Sequence, residues 1–292
     1  MSILDHPRGS WDLNERPRVV GILNVTPDSF YDGGRYADPA IAIARAEAMV
    51  AEGADAIDVG AQSTRPGAGA PLSADEEWDR LNPVLPELAR RLRVPVSVDT
   101  YRAEVARRAL EEGAAMVNDV TGLTAEPEIA EHVARAGAAL VLMHALGVPD
   151  RLHEPREYDD LARDVRDFLA ARLRFAIDRG VPERRIALDP GIGFSKRAEQ
   201  SVAALRGLPL LTALGRPVYI GLSRKSFLGH LTGRPADERL AAGLGAAVAA
   251  VALGARIVRT HDVRETVDAL AAAAAILNPE PTPAMAPVKA RG

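Results

Sequence analysis

The stretch Val218-Tyr219-Ile220-Gly221-Leu222-Ser223-Arg224-Lys225-Ser226-Phe227 starts as a short apolar run with a β-branched head and then turns abruptly polar. It reads as a buried strand leaving the core at a Ser-Arg-Lys-Ser end. Of the 36 Lys and Arg residues only three are lysine: Lys196, Lys225 and Lys289. Ammonium and guanidinium differ in shape, hydration and pKa range. A rare lysine at a strand end therefore marks a candidate site, against the alternative of a solvated basic loop.

The same apolar-then-polar pattern recurs along the chain. Strands are expected at Val19–Asn24, Ala54–Val59, Val94–Asp99, Ala115–Asp119, Ala138–Met143, Ile186–Asp189, Val218–Leu222 and Ala255–Arg259. Helices are expected between them. Asp38-Pro39 opens one, with an acid at the N-cap and Pro at the first position. Ser73 with Glu76 three residues on reads as a capping box. Longer helices are expected at 157–179, 236–253 and 262–276. Gly53, Gly113, Gly137 and Gly254 each follow a helix and precede a strand, as left-handed C-terminal caps do.

Eight strand–helix units over about 260 residues match the usual size of a (β/α)8 barrel. Apolar runs without strict alternation fit a parallel sheet covered by helices. The alternative, a doubly wound open sheet, lacks a G-x-G-x-x-G after the first strand. The expected fold class is therefore α/β: a single TIM barrel at 19–277, after a polar lead at 1–18. A tail at 278–292 holds four prolines and is expected to be disordered.

Composition narrows the function. The chain has 292 residues, 47% hydrophobic but only 4% aromatic, so its core is aliphatic. The net charge is −4, and Arg is spread without a basic block, which argues against nucleic acid as a partner. Cysteine is absent, so disulfides and thiolate metal sites are excluded. Met1 to Arg16 has no apolar core of a secretory signal, and the longest uncharged run, Leu240 to Ala255, is too short for a membrane span. The expected location is the cytoplasm.

Read in register, the strand ends carry Asn24, Gln62-Ser63-Thr64-Arg65, Asp99, Asn118-Asp119, His144, Asp189, Ser223 with Lys225, and Arg259 with His261. Each alone could be a helix cap, a turn starter or a structural histidine. In a barrel all of them meet at the C-terminal face, where barrel active sites sit. Carboxylates there can accept N–H groups from a flat nitrogen heterocycle, and Phe194 could lie against its ring. Cations from the last two strands suit phosphate. The residues alone point to an enzyme handling a phosphorylated heterocycle.

Asn24-Val25-Thr26-Pro27-Asp28-Ser29-Phe30 with Asp32-Gly33-Gly34 resembles the first signature of the dihydropteroate synthase family. Asp58-Val59-Gly60-Ala61-Gln62-Ser63-Thr64-Arg65-Pro66-Gly67 resembles the second. Val98-Asp99-Thr100, Val117-Asn118-Asp119, Met143-His144, Leu188–Phe194, Gly221–Ser226 and Arg259–Val263 continue the match in order. The resemblance covers roughly Val19 to Leu277. It implies condensation of 6-hydroxymethyl-7,8-dihydropterin diphosphate with 4-aminobenzoate, giving 7,8-dihydropteroate and diphosphate. It assigns the pterin to Asp99, Asn118, Met143, Asp189 and Lys225. It assigns Mg2+ and diphosphate to Asn24, and diphosphate to Arg259 and His261. The 4-aminobenzoate pocket falls to Ser63, Thr64, Arg65, Pro66, Phe194, Lys225 and Ser226. The catalytic set it implies is Asp99, Lys225, Arg259 and His261.

Two positions depart from the family pattern. Ala145-Leu146 stands where a longer polar residue usually precedes the glycine, and Tyr31 where a small residue is usual. Two alternatives share the barrel: a pterin-binding methyltransferase domain, against which both loop signatures argue, and a pterin-binding homologue without turnover. Small residues across Ala241 to Ala255 could pack helices closely between subunits. The family is usually dimeric, so a homodimer through late helices is expected.

Overall fold

The computed structural model describes residues 2–26, 38–62, 72–147 and 149–277. Two short strands come first, β1 (Ile3–His6) and β2 (Gly9–Asp12). The barrel follows: β3 (Arg18–Asn24), α1 (Pro39–Ala51), β4 (Ala56–Gly60), α2 (Ala74–Leu81), α3 (Leu85–Arg91), β5 (Val96–Asp99) and α4 (Ala103–Glu111). It continues with β6 (Met116–Asp119), α5 (Ile129–Ala136), β7 (Ala139–Met143), α6 (Leu161–Asp178), β8 (Ile186–Asp189), α7 (Ala198–Arg206) and α8 (Leu208–Thr212). It ends with β9 (Val218–Gly221), α9 (Ser226–Thr232), α10 (Leu240–Ala252), β10 (Ala255–Thr260) and α11 (Val263–Leu277).

Strands β3 to β10 run parallel and close on themselves, β10 pairing with both β9 and β3. This is the expected eight-stranded barrel. The strand period of two divides it into two apolar layers. Ile57, Val59, Val96, Val98, Leu140, Leu142, Ile220 and Val258 face outward and pack under the helices. Val20, Ala56, Met116, Ala139, Val141, Ala187, Tyr219 and Ile257 face inward. The inner layer mixes alanines (Ala56, Ala139, Ala187) with large side chains, Met116 and Tyr219 among them, so small and large residues fill the barrel interior together.

Local signals explain the helix ends. Asp38 caps α1 by accepting from the Ala40 N–H at 2.8 Å. The Ser73–Glu76 capping box forms as expected. Gly137 ends α5 in the left-handed region, φ 64°. α6 starts at Leu161 behind the Asp160 cap, four residues later than expected. α10 starts at Leu240, and Ala236–Glu238 before it is a single 3-10 turn. Sequence reasoning overlooked α3, α8 and α9, all seven residues or fewer.

The lead at 1–18 is more than a polar approach. β1 and β2 form an antiparallel hairpin with Leu4 opposite Trp11. Leu4, Trp11 and Leu13 join the inner barrel layer and close the end opposite the strand C-termini. Arg8 bonds the carbonyls of Ala89 and Leu92 beside it, and Arg184 pairs with Asp5 at 3.1 Å.

Candidate active site

Above the apolar floor the inward positions turn polar. On β4, Asp58 follows Ala56 at the same parity. On β5 come Ser97 and Asp99, on β6 Asn118, on β8 Asp189 and on β10 Arg259. Gly60, above Asp58, leaves room at the rim; a Cβ there would meet the Asp99 Cβ at 3.4 Å.

Arg259 ties this layer together. Its Nε donates to Asp58 Oδ2 at 2.6 Å and one terminal nitrogen donates to Asp99 Oδ2 at 2.7 Å. Asn118 Nδ2 donates to the same Asp58 oxygen at 3.1 Å. Burial works against the Arg259 charge, but Asp58 and Asp99 outweigh it and hold its pKa above the usual range. Burial raises Asp99 to about 7, with Arg259 opposing and Asp58 adding. Burial also raises Asp189. Asp58 Oδ1 and Asn118 Oδ1 are buried without a hydrogen-bond partner. Such atoms are costly to leave unmatched, and a ligand with N–H groups at this level would supply donors.

The β8–α7 loop supplies the side wall. Gly191 N–H donates to Asp189 Oδ1 at 2.7 Å and orients that carboxylate. Phe194 is buried, stacked on His153 with 4.6 Å between ring centroids. On the same ring, Lys225 Nζ lies 4.6 Å from the centroid, and it donates to the Ile192 carbonyl. Burial lowers Lys225 to about 8, Asp189 pulling the other way. Met143 packs with Tyr101, Val120, Ala145 and Phe194 around this mouth. Ala145 is buried in that cluster, so the departure from the family pattern adds apolar surface there.

The expected residues thus divide. Asp99, Asn118, Met143, Asp189, Phe194, Lys225 and Arg259 line one cleft. His261 lies beyond the end of β10, its Nδ1 3.0 Å from Ser223 Oγ. Asn24 is half-buried at the end of β3, level with Gly60. Ser226 is exposed at the start of α9. Ser63, Thr64, Arg65, Pro66 and Tyr31 lie outside the described residues. Asp119 and His144 do not join the cleft. Asp119 accepts from Thr121 and Leu123 in the turn after β6, and His144 packs edge-on against Phe168 of α6. Sequence reasoning missed Asp58 and His153. The signal for Asp58 was a carboxylate inside an apolar run, at the parity of Gly60; His153 left none.

Three carboxylates, an amide and two cations in one cleft can recognise a flat heterocycle rich in N–H groups and hold an anion beside it. Among the described residues no helix is long and apolar enough to cross a membrane.

Comparison with known proteins gives the cleft its context. A family model described as pterin binding enzyme matches residues 20–261. A dihydropteroate synthase of Synechocystis sp. is 47% identical over 254 residues, 87% of this chain and 88% of that protein. The solved Xanthomonas albilineans dihydropteroate synthase with 4-aminobenzoic acid is 42% identical, with a TM-score of 0.86 over 93% of this chain and 96% of its own. The Burkholderia cenocepacia dihydropteroate synthase complexed with 7,8-dihydropteroate is also 42% identical, with a TM-score of 0.84 over 94% of this chain and 96% of its own. With its barrel, its cleft and these likenesses together, the chain belongs to the pterin-binding enzyme family and, within it, to the dihydropteroate synthases.

Proposed function

We propose that this chain condenses 6-hydroxymethyl-7,8-dihydropterin diphosphate with 4-aminobenzoate, yielding 7,8-dihydropteroate and diphosphate. The observation that carries the reading is the buried layer of Asp58, Asp99, Asn118 and Arg259 with Asp189 and Lys225 alongside. The bound ligands of the two solved relatives, 4-aminobenzoic acid and 7,8-dihydropteroate, support it.

Asp99, Asn118 and Asp189 orient the pterin through its N–H groups. The C–O bond to the pterin methylene breaks, and its electron pair leaves on the diphosphate. Asp99 faces the positive charge that develops on the ring, while Arg259 and His261 take the negative charge that departs. The nitrogen lone pair of 4-aminobenzoate then forms the C–N bond, and the amine proton passes to solvent. Phe194, Lys225 and Ser226 receive the arylamine. Ser63, Thr64, Arg65 and Pro66 belong to the same proposed pocket.

Mg2+ is part of this proposal. Among the described residues no three His, Asp or Glu side chains converge on a metal cage. Mg2+ usually takes few protein ligands and fills its shell from phosphates and water, so the single amide oxygen of Asn24 suits it. Bound there with the diphosphate, it would supply charge neutralisation of the leaving group.

A homodimer and a cytoplasmic location go with the proposal. α10 is apolar all round yet buries only Ala247 and Ala250, which supports docking against a second copy. Light scattering at micromolar protein is expected to give twice the 31.1 kDa chain mass; the single mass would refute the dimer.

The test of activity is diphosphate release by purified protein given both substrates and Mg2+. Release dependent on 4-aminobenzoate is expected. Bound pterin with no release above background would leave a pterin-binding protein without turnover.

A further inference from the structure

Lys196 is another of the three rare lysines, and the proposed chemistry does not use it. It sits in the β8–α7 loop and is 5% exposed. Its Nζ donates to the carbonyls of Gly191 and Phe194, each at 3.1 Å, and lies 2.9 Å from His144 Nδ1. An ammonium has three N–H donors and no acceptor. Three acceptors surround it, so the count closes when Lys196 is charged and His144 Nδ1 carries no proton. Burial first, then the Lys196 charge, lowers His144 to about 3, which leaves that lone pair free at neutral pH.

The three acceptors share one task. Gly191 and Phe194 bracket the turn, and the Phe194 N–H closes it onto the Gly191 carbonyl at 3.1 Å. Gly191 has φ 66°, and a Cβ there would run into the His144 carbonyl. Asp189 is held independently: its carbonyl accepts from the His144 N–H at 2.9 Å, and its carboxylate from Gly191 N–H. Lys196 therefore governs the apex of the loop more than the carboxylate at its base.

The geometry points to Lys196 as a positioning residue: seated on His144, its ammonium ties two loop carbonyls together and so fixes Phe194 against Lys225, on the side that receives 4-aminobenzoate. This rests on the proposed function for the identity of that substrate. The titratable or aromatic groups facing Lys196 are Asp189 from β8, Lys225 from the β9–α9 loop, His144 from the end of β7, and the Tyr158 ring at 6.0 Å from the segment before α6. Burial lowers Lys196 to about 7, with Asp189 opposing and Lys225 adding. As pH rises through that value the proton leaves, and one of the three acceptors loses its donor.

The test compares the full-length chain with Lys196→Met in steady-state kinetics from about pH 6 to about pH 9. At the acid end the variant is expected to raise KM for 4-aminobenzoate about tenfold, the loss of one hydrogen bond to a charged group. KM for the pterin diphosphate should stay within about twofold. Wild-type KM for 4-aminobenzoate should climb above about pH 7, and this limb should vanish in the variant, while any limb from Lys225 remains in both. Amide hydrogen exchange across residues 190–196 in the unliganded chain gives a readout independent of activity, and exchange should quicken in the variant. If Lys196→Met fails to fold, Lys196→Gln takes its place with the same expectations. Equal rises in both KM values, or unchanged exchange, would overturn the proposal. A wild-type chain that releases no diphosphate would sink the functional reading alone, and the exchange result would still decide the role of Lys196 in the loop.

Discussion

Replacing Arg259 with methionine exposes how the cleft balances its charges. Methionine fills much of the arginine stem but offers no donor. Asp58, fully buried, would lose its 2.6 Å ion pair and keep only the Asn118 amide; Asp99 would lose its 2.7 Å partner. Breaking one side of a buried pair costs roughly 3–5 kcal/mol. The Arg259 side chain is 19% exposed and Asp99 14%, which pulls the figure to the low end. A loss of about 3 kcal/mol corresponds to a fall in Tm of roughly 6–12 °C for a domain near this size. The sign with pH follows from the carboxylates. Without the cation, the burial that already raises Asp99 acts unopposed, so the folded state binds a proton that the unfolded state has released. Stability then falls as pH rises from the unfolded carboxylate value, and the deficit is larger at about pH 8 than at about pH 5. Thermal unfolding followed by circular dichroism at both pH values measures it. Adding Asp58→Asn should recover part of the stability and none of the activity. An unchanged Tm at the higher pH, or a deficit that ignores pH, would refute the reasoning.

Other consequences follow from the same geometry. Lys225→Arg should lower kcat/KM about ten- to a hundred-fold, because the longer planar group cannot sit over Phe194 and reach the Ile192 carbonyl as the ammonium does; steady-state kinetics at equal activity would show that lysine has no special fit there. The kcat/KM profile should fall on the acid side as pH drops through about 7, where Asp99 takes up its proton, and Asp99→Asn should remove that limb. Trp11→Ala should cost roughly 3–5 kcal/mol in urea unfolding, since it opens the hairpin layer at the barrel base; a loss below about 1 kcal/mol would mean that the hairpin packs only loosely.

The barrel itself was legible because parallel strands buried on both faces read as short apolar runs, and each barrel strand begins and ends within two residues of its expected place. The strand ends were legible for the same reason: polarity returns where the chain leaves the core. What lay below the rim was not. Asp58 points inward one strand repeat beneath Gly60, and only closure of the sheet brings it to Arg259 on β10. His153 comes from a stretch without periodicity and meets Phe194 only after two loops fold over each other. The hairpin escaped because four-residue strands are too short to show alternation; Ile3, Leu4, Trp11 and Leu13 are scattered apolar residues without a visible period. α9 escaped because its seven residues make barely two turns, hold Gly229 and the β-branched Thr232, and start without a side-chain cap.

The hairpin at the barrel base also bears on the order of folding. It precedes the barrel in the chain and so leaves the ribosome before any barrel strand. Its seat, however, is built from β3, β4, β6, β7, β8, β9 and β10 together, and that ring exists only once β10 has paired with β3. Leu4, Trp11 and Leu13 must therefore wait with their apolar surface uncovered while nearly the whole chain is made. Such long-range closure is slow, and the waiting surface is open to aggregation. The seating of Trp11 can therefore come only after the ring is complete, and with Trp78 replaced by phenylalanine its fluorescence would report that moment.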